Sequence, residues 1–96
     1  MDLHVDERVW LDATTIAAGY EEHRPGLGEE FLAAVVEAIG RIARHPEAWR
    51  KWPGARERPE PLHRYVMARF PYSIGYQRRG DTIVVIVIAH GRRLPP

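Results

Sequence analysis

Seven apolar residues in a row, Ile83-Val84-Val85-Ile86-Val87-Ile88-Ala89, lie near the end of this 96-residue chain. The run is far below the roughly 18–20 residues of a membrane-spanning helix and has the length of a β-strand. A strand with apolar side chains on both faces needs cover on both sides, so the run predicts a central strand over Thr82–Ala89. The turn signal Arg79-Gly80-Asp81 just before it predicts a hairpin with a preceding strand. The run ends abruptly in His90, Gly91, Arg92 and Arg93, which puts an imidazole and two guanidinium groups at the end of a buried element.

Two helical stripes supply the cover. From Asp6 to His23 the apolar positions Val9, Ala13, Ile16, Ala17 and Tyr20 follow the helical period, with Asp6 as N-cap and Glu7 in the first turn. Arg24-Pro25-Gly26-Leu27-Gly28 breaks that helix. A second stripe runs through Leu27, Phe31, Leu32, Val35, Val36, Ile39, Ile42 and Ala43, and Pro46 stops it. The short connection predicts an αα-hairpin whose two stripes face one sheet. Pro46, Pro53, Pro59 and Pro61 make residues 46–61 a loop, with Trp49 and Trp52 folding back onto the core edge. Beyond it the period becomes two: Arg64, Val66, Ala68 and Phe70 alternate with Tyr65, Met67 and Arg69, and Tyr72, Ile74 and Tyr76 continue the pattern. With Leu3-His4-Val5 as a short edge strand, the order is β-α-α-β-β-β. This is an α+β fold, a mostly antiparallel four-stranded sheet with a helical hairpin packed on one face.

Ninety-six residues make one domain, residues 1–96, and a domain this small is expected to gain from a partner or a dimer contact. The chain has no cysteine, and its start, Met1–Asp6, lacks the basic and apolar regions of a secretory signal; both point to a cytoplasmic protein. Net charge is +1, but it is unevenly spread. Residues 1–45 hold nine acids and four arginines; residues 46–96 hold four acids, nine arginines and Lys51. An acidic layer opposite a basic one is the expectation.

The chain resembles the RelE/ParE superfamily of toxins from bacterial type II toxin–antitoxin (plasmid stabilisation) systems. The resemblance rests on Ala18-Gly19-Tyr20-Glu21-Glu22, on RPGLGEEF at Arg24–Phe31, on Pro46, on RFPYSIGY at Arg69–Tyr76 and on IAHGRR at Ile88–Arg93. It implies the β-α-α-β-β-β fold, a cytoplasmic location, growth inhibition and a cognate antitoxin. Two targets are compatible with it. Members like ParE act on DNA gyrase, and members like RelE cut mRNA on the ribosome without a metal. A non-toxic binding module on the same scaffold is a third reading.

Metal-free RNA cleavage needs a base, an acid and cations around the phosphorane. His90, Arg69, Arg92 and Arg93 are the candidates, and of these only the imidazole exchanges a proton near neutral pH. Ribonuclease members also use mid-chain lysines or an acidic base and an aromatic residue close to the C-terminus; here Lys51 is the single lysine and the tail reads Leu94-Pro95-Pro96. The basic rim is therefore expected to act first as a contact surface, with Arg64, Arg69, Tyr72, Arg92 and Arg93 meeting target or antitoxin. Enzyme activity stays open, as a metal-independent endoribonuclease.

Tyr65, Tyr72 and Tyr76 are expected as half-buried sheet residues, Glu21-Glu22 and Glu29-Glu30 as a solvated acidic face, and Trp10 as core or rim. His4, His23, His45 and His63 lie in separate segments without metal-ligand spacing, so no metal and no cofactor is expected. The expected partners are the antitoxin, which lays a helix along the hairpin and adds a strand to the sheet, and gyrase or ribosome-bound mRNA as target. No membrane contact is expected, and the assembly is a homodimer or a toxin–antitoxin hetero-oligomer.

Overall fold

The structure, a computed structural model, describes residues 2–55 and 58–91. Its elements are β1 (Asp2–Val5), α1 (Glu7–His23), α2 (Leu27–Arg44), β2 (His63–Val66), β3 (Tyr72–Arg79) and β4 (Thr82–His90). They form one four-stranded sheet in the order β1-β4-β3-β2. β4 is an inner strand, as its two apolar faces require, parallel to β1 and antiparallel to β3. The fold is the expected α+β arrangement.

Local signals explain the helix ends. The Asp6 carboxylate accepts the Arg8 N–H at 2.8 Å, the N-cap contact that gives one orphan donor of α1 a partner. The hairpin is closed by a less local device. Gly26 adopts a left-handed φ of 89°, and Glu21, in the last turn of α1, reaches forward so that its carboxylate accepts the Gly26 and Gly28 N–H groups, each at 2.9 Å. These donors hold the Glu21 carboxyl below the ordinary carboxylate range. A Cβ on Gly28 would lie 2.6 Å from the Ala17 carbonyl oxygen, so the helices cross here as closely as backbones allow.

The core lies between the hairpin and one face of the sheet. Val9, Ala13 and Ala17 of α1 and Phe31, Val35, Ile39 and Ile42 of α2 meet Tyr65, Ile74, Tyr76, Ile83, Val85 and Ile88. Tyr76, expected half-buried, is fully buried because its hydroxyl has a partner: it donates to the Pro46 carbonyl at 2.6 Å. Burial pushes this phenol up to about 12. The opposite face of the sheet has its own small cover. Trp52 and Leu62, both buried, come from the proline-rich loop and close over Gly75, where a Cβ would lie 2.5 Å from Val87 Cγ1 and 3.3 Å from the Trp52 ring.

Two details depart from the sequence reading. First, β2 ends at Val66, not Phe70; Arg69 is in an irregular turn, Met67–Pro71, rather than at a strand end. The turn closes on itself through Met67 N–H to Tyr72 O at 3.0 Å and Tyr72 N–H to Phe70 O at 2.8 Å, which diverts backbone groups from the ladder. Second, β4 carries a bulge. Gly75 pairs with Val87 but Tyr76 pairs with Val85, so Ile86 is an extra residue and the strand's side-chain phase flips there. Ile83 and Val85 face the helices before the bulge, and Ile88 does so after it.

Candidate functional site

The bulge decides where the strand-end histidine stands. With strict alternation from Val85, His90 would project from the side away from the helices. The flipped phase instead pairs it with Tyr72, and the two rings meet edge to face at 5.1 Å. Tyr72 belongs to a cluster of aromatic rings at this end of the sheet. It contacts Phe31 at 5.5 Å, and Phe31 contacts Phe70 at 5.1 Å and Tyr20 at 5.3 Å. Burial, with the neighbouring Tyr72 phenol adding to it, pushes the Tyr20 phenol above its usual value.

Arg69 enters from the Met67–Pro71 turn. Its guanidinium lies 5.0 Å over the Phe70 ring and pairs with Glu30 Oε1 of α2 at 2.6 Å. The other oxygen, Glu30 Oε2, accepts from Arg24 at 3.0 Å. One carboxylate thus sits between two guanidinium groups and joins the interhelical turn to the β2–β3 turn. Arg69 above all holds the Glu30 carboxyl below the ordinary range; partial desolvation opposes it, and Arg24 adds to the lowering.

The expected rim is therefore only partly assembled. Arg69, Tyr72 and His90 gather on the helix side of the sheet end. Arg64 pairs with Gly75 on the opposite face, and its guanidinium lies 5.8 Å over Trp52. Arg64, Arg69, Tyr72, Ser73 and Gly91 nonetheless border one open groove of about 450 Å³ around the turn. The end of β4 is fixed there by Gly91 N–H to the Pro71 carbonyl and Ser73 Oγ–H to the Gly91 carbonyl at 3.0 Å. Arg92 and Arg93 lie outside the described residues. A second groove, about 360 Å³, runs between α2 and β2, with Ala33, Ala34, Met67 and Ala68 along it and Glu30, Glu37, Arg41 and Arg69 at its edges.

Sequence reasoning missed Glu21, Arg24 and Glu30. The acidic pairs at 21–22 and 29–30 read as a solvated face, yet one member of each makes specific contacts. The signal for Glu21 was present: an acid at the end of one helix, with a glycine on either side of the first residue of the next, has open backbone donors within reach. The Glu30–Arg69 pair spans 39 positions, and nothing local announces it. Among the described residues no group of three or more His, Cys, Asp or Glu side chains is placed to hold a metal ion, and no helix is long and apolar enough to cross a membrane.

No curated protein matches the chain. A solved structure described as the chromosomal ParDE toxin–antitoxin system from P. aeruginosa superposes with a TM-score of 0.68 at 19% identity, covering 95% of this chain and 96% of that one. At that identity the likeness shows the fold. The family model described as the ParE toxin of the type II toxin–antitoxin system, parDE, matches residues 5–95, almost the whole chain and every element of the sheet end just described. The chain belongs to the ParE toxin family of type II toxin–antitoxin systems.

Proposed function

We propose that this chain arrests bacterial growth by acting on DNA gyrase and that a cognate antitoxin neutralises it in the cytoplasm. The observation that carries the gyrase reading over RNA cleavage is the state of the rim. Glu30, a carboxylate held between Arg69 and Arg24, is a weak base, and in the free chain it occupies the Arg69 guanidinium. His90 meets Tyr72 edge to face, a packing contact between the rings rather than a hydrogen bond between imidazole and phenol. Such a rim suits contact better than acid–base chemistry. Purified gyrase tests this directly: the chain should inhibit supercoiling, and a translation reaction programmed with mRNA should show no cleavage. Intact supercoiling with mRNA cut at the ribosome would refute the proposal and establish the ribonuclease reading, which the gathering of Arg69, Tyr72 and His90 at one sheet end favours.

The hairpin and sheet edge fit the antitoxin. Leu11 and Val36 stand more than half exposed on α1 and α2, and Leu3 is 44% exposed on the edge strand β1. Among the described residues β1 has one neighbour, β4, which leaves its outer edge for a further strand. Replacing Arg92 and Arg93 together by alanine should abolish growth arrest on induction of the chain alone. Full arrest by that double variant would make the two arginines bystanders. Soluble expression of the unaltered chain without any arrest would identify a non-toxic binding module.

A further inference from the structure

The Arg24–Glu30–Arg69 cluster has a feature that neither target reading uses. Its central carboxylate is accessible: the Glu30 side chain is 38% exposed, and those of Arg24 and Arg69 are 55% and 56% exposed. Exposed ion pairs exchange readily with solvent and with other ions, because water screens them and long side chains lose freedom in forming them. A carboxylate already seated with one oxygen on each guanidinium defines the ligand that the two arginines accept, in charge, size and spacing.

We propose that this cluster is a carboxylate-exchange site: an acidic side chain from a partner polypeptide displaces Glu30 and takes over Arg24 and Arg69 at the edge of the α2–β2 groove. The groove suits a peptide. Ala33, Ala34 and Ala68 are small, and Met67 lies beside them. The outer edge of β2 is covered by residues 50–52, through a Lys51–His63 bridge and the Arg64 N–H to Arg50 O bond, and that cover does not reach Val66. A nucleic-acid backbone fits poorly, because Glu30 and Glu37 border the same groove and Arg41 is already paired with Glu37 at 2.9 Å. Glu30 is then a resident competitor. It holds Arg69 ready over the Phe70 ring in the free chain and lowers the affinity for any acid that arrives. The inference rests on the reading of this chain as the half of a toxin–antitoxin pair that receives a partner segment.

The test uses the full chain and a fluorophore-labelled hexaglutamate peptide, followed by anisotropy at low salt. Glu30→Gln removes the competitor while keeping its shape and should tighten binding at least three-fold. Glu29→Gln makes the same change in net charge one residue away and should change affinity by less than half of that. Arg69→Gln should weaken binding at least five-fold, and the Arg69 side-chain Nε–H resonance should move on peptide addition to the unaltered chain. Equal gains for Glu30→Gln and Glu29→Gln, an unmoved Arg69 resonance, or an equal gain for a hexauridine oligonucleotide would overturn the proposal. A chain that binds the peptide in this pattern but causes no growth arrest keeps the site and loses the toxin reading; arrest without the pattern does the reverse.

Discussion

Replacing Tyr76 by phenylalanine isolates one buried hydrogen bond and one titration. The Tyr76 ring is fully buried, its hydroxyl donates to the Pro46 carbonyl at 2.6 Å, and Pro46 is itself buried at the stop of α2. The phenylalanine variant keeps the ring and leaves a carbonyl without its donor. That costs about 1–2 kcal/mol at neutral pH, which for a domain of this size lowers the melting temperature by roughly 5–15 °C. The second effect has the opposite sign. Burial raises the folded-state phenol from its ordinary value of 10.0 to about 12, so the folded chain holds this proton where the unfolded chain has released it. Stability from this source is complete below pH 10 and falls as pH rises through 12, by about 1.4 kcal/mol at pH 11 and about 2.3 kcal/mol at pH 12. The phenylalanine variant lacks that loss. Urea unfolding of both proteins from pH 7 to 12 should therefore give stability curves that start apart and cross near pH 11. A gap that stays constant to pH 12 would refute the claim that burial holds the phenol neutral, and equal stability at pH 7 would refute the value assigned to the bond.

Three further outcomes follow from contacts at the hairpin and the sheet. Gly28→Ala places a methyl group 2.6 Å from the Ala17 carbonyl and should destabilise the chain by about 1–3 kcal/mol in denaturant unfolding, because backbone and not a flexible side chain must yield. Gly75→Ala meets Val87 at 2.5 Å and the Trp52 ring at 3.3 Å; it should lower the melting temperature and shift tryptophan emission to the red as Trp52, 3% exposed in the native fold, gains water. Glu21→Gln weakens the acceptor for the Gly26 and Gly28 N–H groups. Because the folded carboxyl is held low, its contribution is present above the ordinary carboxylate range and is lost as pH falls through the folded value. The unaltered chain should be the more stable at neutral pH, and thermal melts of the two proteins should converge in acid.

The helices were legible because their information is local. Val9, Ala13 and Ala17 repeat at a helix period, Asp6 caps, and Pro46 stops, each within a turn of the position it governs. The bulge at Ile86 was not legible. Inside a run where every residue is apolar, a change of phase leaves no mark in the pattern, and only the pairing of Gly75 with Val87 beside Tyr76 with Val85 reveals it. The end of β2 was hidden for a related reason: Arg69 and Phe70 continue the alternation, while the backbone bonds that fold the turn back involve Tyr72 and Gly91. At the candidate site, His90, Arg69 and Tyr72 were legible as chemistry, and two of their settings were not. Glu30 meets Arg69 only once a helix and a turn have been brought together, and His90 meets Tyr72 only because of the bulge.

The position of β1 bears on how this chain comes into being. Asp2 pairs with Thr82, so β1 has no neighbour in the sheet until β4, far later in the chain, has been made. β3 already has β2 on one side and gains β4 on the other, so β4 is what joins β1 to the rest of the sheet. A chain cut short before β4 therefore loses an inner strand of its sheet, the one pairing that holds β1 and one of the two that hold β3. Fragments that lack β4 should fail to build the native sheet, because β1 has no other strand to pair with among the described residues.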